Sequence, residues 1–120
     1  MARPYVSHKK LCDNSRAAML AAIEIYNKPQ TMYREQVVTV LVVNAWELIL
    51  KAALRKAKKN IFYKKKRREA YRSLSLEQCI ADMGKYHLWP ETVDGDGVRA
   101  NLDILTDYRN KIIHLYVADD

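Results

Sequence analysis

MYREQVVTVLVVNAWELILKAALRKAKK, residues Met32 to Lys59, decides the fold. Its first half, Val37-Val38-Thr39-Val40-Leu41-Val42-Val43, is β-branched enough to read as a strand. No turn signal separates it from the stretch beginning at Ala45, which is plainly helical, so the whole segment is read as one helix. Apolar nearly all round through Leu50, this helix belongs at the centre of a bundle, packed on several sides. Thr39, Asn44 and Glu47 interrupt the apolar run, which falls short of the about 20 residues that span a bilayer.

Working outward, Leu11, Met19, Leu20, Ile23 and Tyr26 recur at helical spacing between Lys9 and Asn27. Asn27-Lys28-Pro29 ends that helix, because the residue before a proline is pushed out of the α region. Downstream, Asn60-Ile61-Phe62-Tyr63 breaks the helical pattern as a loop or a short strand. Ser75-Leu76-Glu77-Gln78 has the form of a capping box, so a third helix runs from Leu76 to about Lys85. Trp89 to Gly97 is read as a loop, and a last helix occupies about Val98 to Val117. The expectation is an all-α, antiparallel bundle of four main helices in a single domain. Only three Gly and three Pro argue against a turn-rich sandwich or barrel. A hydrophobic fraction of 49% and a charged fraction of 29% are those of a soluble globule, neither a disordered chain nor a membrane protein. Cys12 and Cys79 lie outside any CxxC spacing and are read as idle thiols in a reducing cytosol, with a disulfide as the alternative. Residues 1–10 are polar and basic with no apolar signal region after them, so a cytoplasmic location is expected.

Charge is the unusual feature. Twenty-one Lys and Arg against 14 Asp and Glu leave +7. From Arg55 to Arg72 there are ten basic residues and one acid, a net of +9, so the remaining 11 basic and 13 acidic residues net −2. The whole surplus therefore sits in one segment, centred on Lys64-Lys65-Lys66-Arg67-Arg68 with Tyr63 and Tyr71 beside it. Such a run is either a solvated connection or a docking strip for a nucleic-acid backbone. Membrane adsorption is disfavoured, because no amphipathic segment with exposed aromatics adjoins the run.

On the last helix, at about 100° per residue, Val98, Leu102, Leu105, Ile112, Ile113 and Tyr116 share an apolar sector. Arg109 falls in the middle of it. Burying an unpaired guanidinium costs several kcal/mol, so Arg109 needs an acidic partner such as Glu47 or a polar cleft closed by another surface. Asn110 and His114 stand one turn apart. On the central helix, Asn44 and Glu47 are candidate buried polar groups, satisfying each other or a neighbouring helix, or supporting Arg109 or His114.

Arg109-Asn110-Lys111-Ile112-Ile113-His114-Leu115-Tyr116 reads R-x4-H-x-Y, which resembles the signature of the HEPN superfamily of prokaryotic toxin and defence ribonucleases. The segment Asn44 to Ala52, NAWELILKA, and the stretch Ala21 to Arg34, AAIEIYNKPQTMYR, are similar to an uncharacterised bacterial HEPN-like family. The resemblance implies a metal-independent endoribonuclease acting as a homodimer, with two motifs facing across the interface, in a toxin–antitoxin or phage-defence setting. It matches His114 to the catalytic histidine, Arg109 to the catalytic arginine and Asn110 to the polar position. Tyr116 matches a tyrosine that some members have modified by an antitoxin protein, against the plainer reading of a core or interface aromatic. No cofactor is implied. The chain stops shortly after the motif where the family often continues, which leaves open an N-terminal portion of a longer protein.

The chemistry can be argued without the resemblance. Cleaving RNA without a metal needs a base for the 2′-hydroxyl and a cation for the charge that builds on phosphate. An imidazole titrates near neutrality and suits the first role, while a planar guanidinium suits the second. Arg109 and His114 lie about 140° apart around the helix, so a two-fold partner would relieve their awkward presentation to one phosphate. His114 is otherwise an exposed histidine near a helix end. His8 and Cys12 have i,i+4 spacing, and Cys79, His87 and His114 are scattered, so no metal site is expected. The alternatives are a non-catalytic helical module that holds RNA or DNA on the basic strip, and a structural dimerisation domain.

Overall fold

The β-branched run at 37–43 is helical throughout. In the computed structural model, which describes residues 5–29 and 33–118 with side chains through Ile112, it forms the first half of α2 (Arg34–Lys56). The other helices are α1 (His8–Tyr26), α3 (Leu76–Lys85) and α4 (Gly95–Ala118), giving the four-helix, all-α architecture. A β-branched residue in place of alanine costs a helix a few tenths of a kcal/mol, so five valines cost about 2–3 kcal/mol. Burying Val43, Leu50 and Leu54, each at most 3% exposed, contributes about 1.5–3 kcal/mol apiece. Packing therefore overrides propensity. The Thr39 hydroxyl also finds an acceptor within the helix, donating to the Glu35 carbonyl at 2.8 Å.

α2 touches each of the other three helices and is the axis of the molecule. Against α1 it runs antiparallel: Ser15 Oγ donates to the Ala45 carbonyl at 2.7 Å, while at the turn Arg34 donates to the Tyr26 and Lys28 carbonyls. Leu11 of α1, Val43, Leu50 and Leu54 of α2, Cys79, Ile80 and Met83 of α3 and Leu102 of α4 make one core. Coverage of α2 is incomplete, however. Val37, Val40 and Ile49 remain exposed, as do Leu20 and Ile23 of α1 and Ile104 and Tyr108 of α4. By length and composition alone α2 is long and apolar enough to cross a membrane, contrary to the shorter apolar stretch read from the sequence. It touches the three other helices, with 39% of the apolar window buried.

α2 ends short of the expected Lys59 and α3 ends at the expected Lys85, both by the same backbone device. α2 stops at Lys56, three residues before Lys59, because Lys58 takes φ 61° and a C-terminal pair of bonds closes the helix: Lys58 N–H to the Arg55 carbonyl and Lys59 N–H to that of Leu54. α3 closes the same way, with His87 at φ 54° and Leu88 N–H donating to the Met83 carbonyl at 2.9 Å. The start of α3 follows the expected cap, Gln78 N–H donating to Ser75 Oγ at 3.2 Å. α4 begins at Gly95, inside the expected loop. A Cβ at Gly95 would lie 2.9–3.0 Å from the Trp89 indole, so glycine lets that ring close over the helix start.

Between α2 and α3, Phe62 and Ser73 form an isolated antiparallel bridge, flanked by Tyr63 N–H to the Arg72 carbonyl and Leu74 N–H to the Ile61 carbonyl at 2.9 and 2.8 Å. This short ribbon projects the basic segment as a closed loop. At its tip Glu69 N–H donates to the Lys66 carbonyl at 3.1 Å across a turn in which Arg68 takes φ 67°.

Candidate functional site

Two regions carry chemistry: the motif on α4 and the basic loop. Along α4, Leu102 and Thr106 are buried and Arg109 follows on the same stripe, half-buried. Its Nη2 reaches Asn110 Oδ1 at 3.4 Å, while Nε is buried with no hydrogen-bond partner among the described residues. No carboxylate among the described residues forms an ion pair with this guanidinium. Next to it Ile112, with Tyr33, Val37, Val40 and Leu41, lines an apolar groove of about 210 Å³. The backbone of His114 and Tyr116 continues α4 toward Ala118, and their side chains lie outside the described residues.

Neither Asn44 nor Glu47 bonds to the other or to Arg109 among the described residues. Asn44 is exposed, on the opposite side of the chain from the buried Val43 and Ala45 that flank it. Glu47 is not the partner of Arg109 but of Lys51, 3.5 Å away and one turn along α2. Lys51 is only 6% exposed, and its ammonium also donates to Ser73 Oγ at 2.9 Å. Lys51, a lysine one turn after a glutamate in an apolar helix, is the sequence signal of this pair.

The residues flanking the basic run are pinned by side-chain contacts. The Tyr63 hydroxyl donates to Ser75 Oγ at 3.1 Å and accepts from Ser75 N–H at 3.2 Å. Tyr71 stands edge-on to Phe62 with ring centres 6.0 Å apart. The Arg72 guanidinium lies over Tyr63 at 5.4 Å and the Lys65 ammonium over Tyr71 at 5.7 Å. Nearby, Tyr86 sits between Lys59 at 4.4 Å and Lys85 at 5.1 Å. Of six cation–π contacts among the described residues, four lie at or beside this loop, so its cations meet aromatic faces rather than acids. Lys64, Lys66, Arg67 and Arg68 are exposed.

Motif and loop are not brought together within one chain. Ile112 packs near the start of α2, while the loop leaves from its end, about 25 Å away along the helix. Cys79 is fully buried, and burial pushes its thiol up to about 12, which makes it a poor nucleophile at neutral pH. Among the described residues no three His, Cys, Asp or Glu side chains gather as a metal site would need.

The chain is similar, over residues 10–120, to a family described as a domain of unknown function, DUF3644. No curated protein and no solved structure matches it.

Proposed function

The chain belongs to the DUF3644 family, and from the resemblance of its Arg109–Tyr116 motif to the HEPN signature we propose that it is a metal-independent endoribonuclease of HEPN type, built as a homodimer. The observation that carries the proposal is Arg109: a guanidinium on the inner stripe of α4 with a buried Nε and no acidic partner among the described residues. A protein tolerates such a group where an anion from outside completes it. In the proposed reaction the RNA 2′-oxygen attacks the adjacent phosphorus as His114 takes its proton. The bond to the 5′-oxygen breaks as that oxygen takes a proton from solvent, His114 later releases its own to solvent, and the products are a 2′,3′-cyclic phosphate and a 5′-hydroxyl. Arg109 bears the charge that builds on the phosphate oxygens, and Asn110 orients the guanidinium through its side-chain oxygen. A partner copy supplies the second set of groups across the apolar groove beside Ile112, and Lys64 to Arg68 dock the RNA backbone. The setting this implies is toxin–antitoxin or phage defence, with an antitoxin protein as a further partner.

The test is cleavage in EDTA. The purified chain cuts structured or single-stranded RNA to cyclic-phosphate ends, and both His114→Ala and Arg109→Ala lower the rate at least a hundredfold. Cutting that needs a divalent ion, or that survives in both variants, rejects the proposal. The pinned flanks of the basic run favour a second reading, a binding module without catalysis. In that case RNA is held and left intact, and neutralising Lys64 to Arg68 abolishes binding.

A further inference from the structure

We infer that the basic loop is a site for unpaired nucleotides: the cleft bounded by Asn60, Tyr63, Lys64, Lys65 and Tyr71 takes a base of single-stranded RNA on its tyrosine faces while the lysines hold neighbouring phosphates. The inference rests on RNA being the ligand of the protein, as proposed above, and adds which form of RNA and which groups read it.

Both rings are set before any ligand arrives. Tyr63 is fixed by the two hydrogen bonds of its hydroxyl to Ser75, the cap of α3, and Tyr71 by its edge contact with Phe62. A base stacking on them therefore costs little side-chain ordering. Each ring carries a cation over a face, Arg72 on Tyr63 and Lys65 on Tyr71, and Tyr63 also packs against the core, so Tyr71 is the more open of the two. Both cations sit on flexible stems and can swing to a phosphate, leaving the π surface to a base.

Asn60 supplies a polar edge. Its Oδ1 accepts from Phe62 N–H at 3.0 Å, which fixes the amide so that its NH2 is free of partners among the described residues. Those two donors suit acceptor atoms on a base edge. The cleft volume, about 470 Å³, lies in the range of about 300–1,000 Å³ typical of small-molecule sites. In a duplex the base faces are buried in the stack, so the tyrosines would have nothing to grip. A lipid surface would want aliphatic side chains on the loop, and between Lys64 and Tyr71 the only apolar residue is Ala70.

The test is fluorescence anisotropy with a short labelled 2′-O-methyl oligouridine, which lacks the attacking hydroxyl and cannot be cut, beside a blunt RNA duplex of equal charge. Tyr71→Leu weakens single-strand binding about tenfold and leaves both duplex binding and the salt slope unchanged. Tyr71→Phe binds as the parent does, which separates the ring from its hydroxyl and from any disturbance of the loop. Lys64→Gln with Lys65→Gln flattens the salt slope by about 0.7 per lost phosphate contact. Single-strand affinity unchanged in Tyr71→Leu, or duplex bound as tightly as single strand, overturns the inference. Tyrosine-dependent binding by a chain that cleaves no RNA supports this site and removes only the nuclease reading.

Discussion

At the scale of single residues, the Glu47–Lys51 pair is where charge meets the core. Lys51 is the more buried partner, its side chain 8% exposed against 24% for Glu47. Taking away the glutamate leaves an ammonium inside the protein with only Ser73 to satisfy it, whereas taking away the lysine leaves a carboxylate that water can reach. We therefore expect Glu47→Met to destabilise the fold by about 2–3 kcal/mol and Lys51→Met by about 1 kcal/mol or less. The double variant should fall close to Lys51→Met. Urea unfolding of the three proteins measures this, and the opposite ranking of the single variants refutes it. Because Ser73 lies across the bridge from Phe62, Lys51 also ties the base of the basic loop to α2.

At the scale of elements, α3 and the loop before it are one unit joined at Ser75. That side chain caps the helix and holds Tyr63, so its loss is felt in two places. Ser75→Ala should cost about 1–2 kcal/mol, and a double-mutant cycle with Tyr63→Phe should show a coupling of about 0.5 kcal/mol or more. Additive effects in chemical denaturation would mean that the hydroxyl contacts carry no shared energy. The boundaries of α3 were legible because Ser75, Leu76 and Gln78 are local signals that a helix start needs. Only half of the expected box formed, since the Gln78 side chain donates to Asp82 at 2.9 Å instead of turning back to Ser75. The end of α2 was not legible: lysine at 58 fills a left-handed position that usually announces itself with glycine. Nor was the hold of Ser75 on Tyr63, which joins residues twelve apart through a chain reversal that no periodicity encodes. On α4 the misplaced position of Arg109 was visible from helical phase, but that Glu47 is not its partner depended on where that glutamate turned, which only packing decides.

At the scale of the molecule, two of the surfaces left to be accounted for lie at opposite ends of α2. The basic loop is one. The other is the apolar face where Val37 and Val40 of α2 stand exposed near Ile112, with Tyr108 one turn earlier on α4 and Arg109 beside it. Scattered apolar residues need no explanation, but a face spanning two helices and adjoining a guanidinium with no acidic partner among the described residues suits a second copy of the chain. Covering it with a symmetric partner would exclude water from Arg109 and strengthen its hold on a phosphate. The purified protein is thus expected to sediment at twice the 14.0 kDa of one chain. Val40→Glu places a carboxylate in the middle of this face, and with 39% of Val40 already exposed the free chain can solvate it. That variant should be monomeric, keep its helical circular dichroism and lose RNA cleavage, while its binding of single strands through the distant loop persists. A parent protein that sediments as a monomer at working concentration would remove the composite site. A monomeric Val40→Glu that still cuts RNA would show that one chain's own Arg109 and His114 suffice.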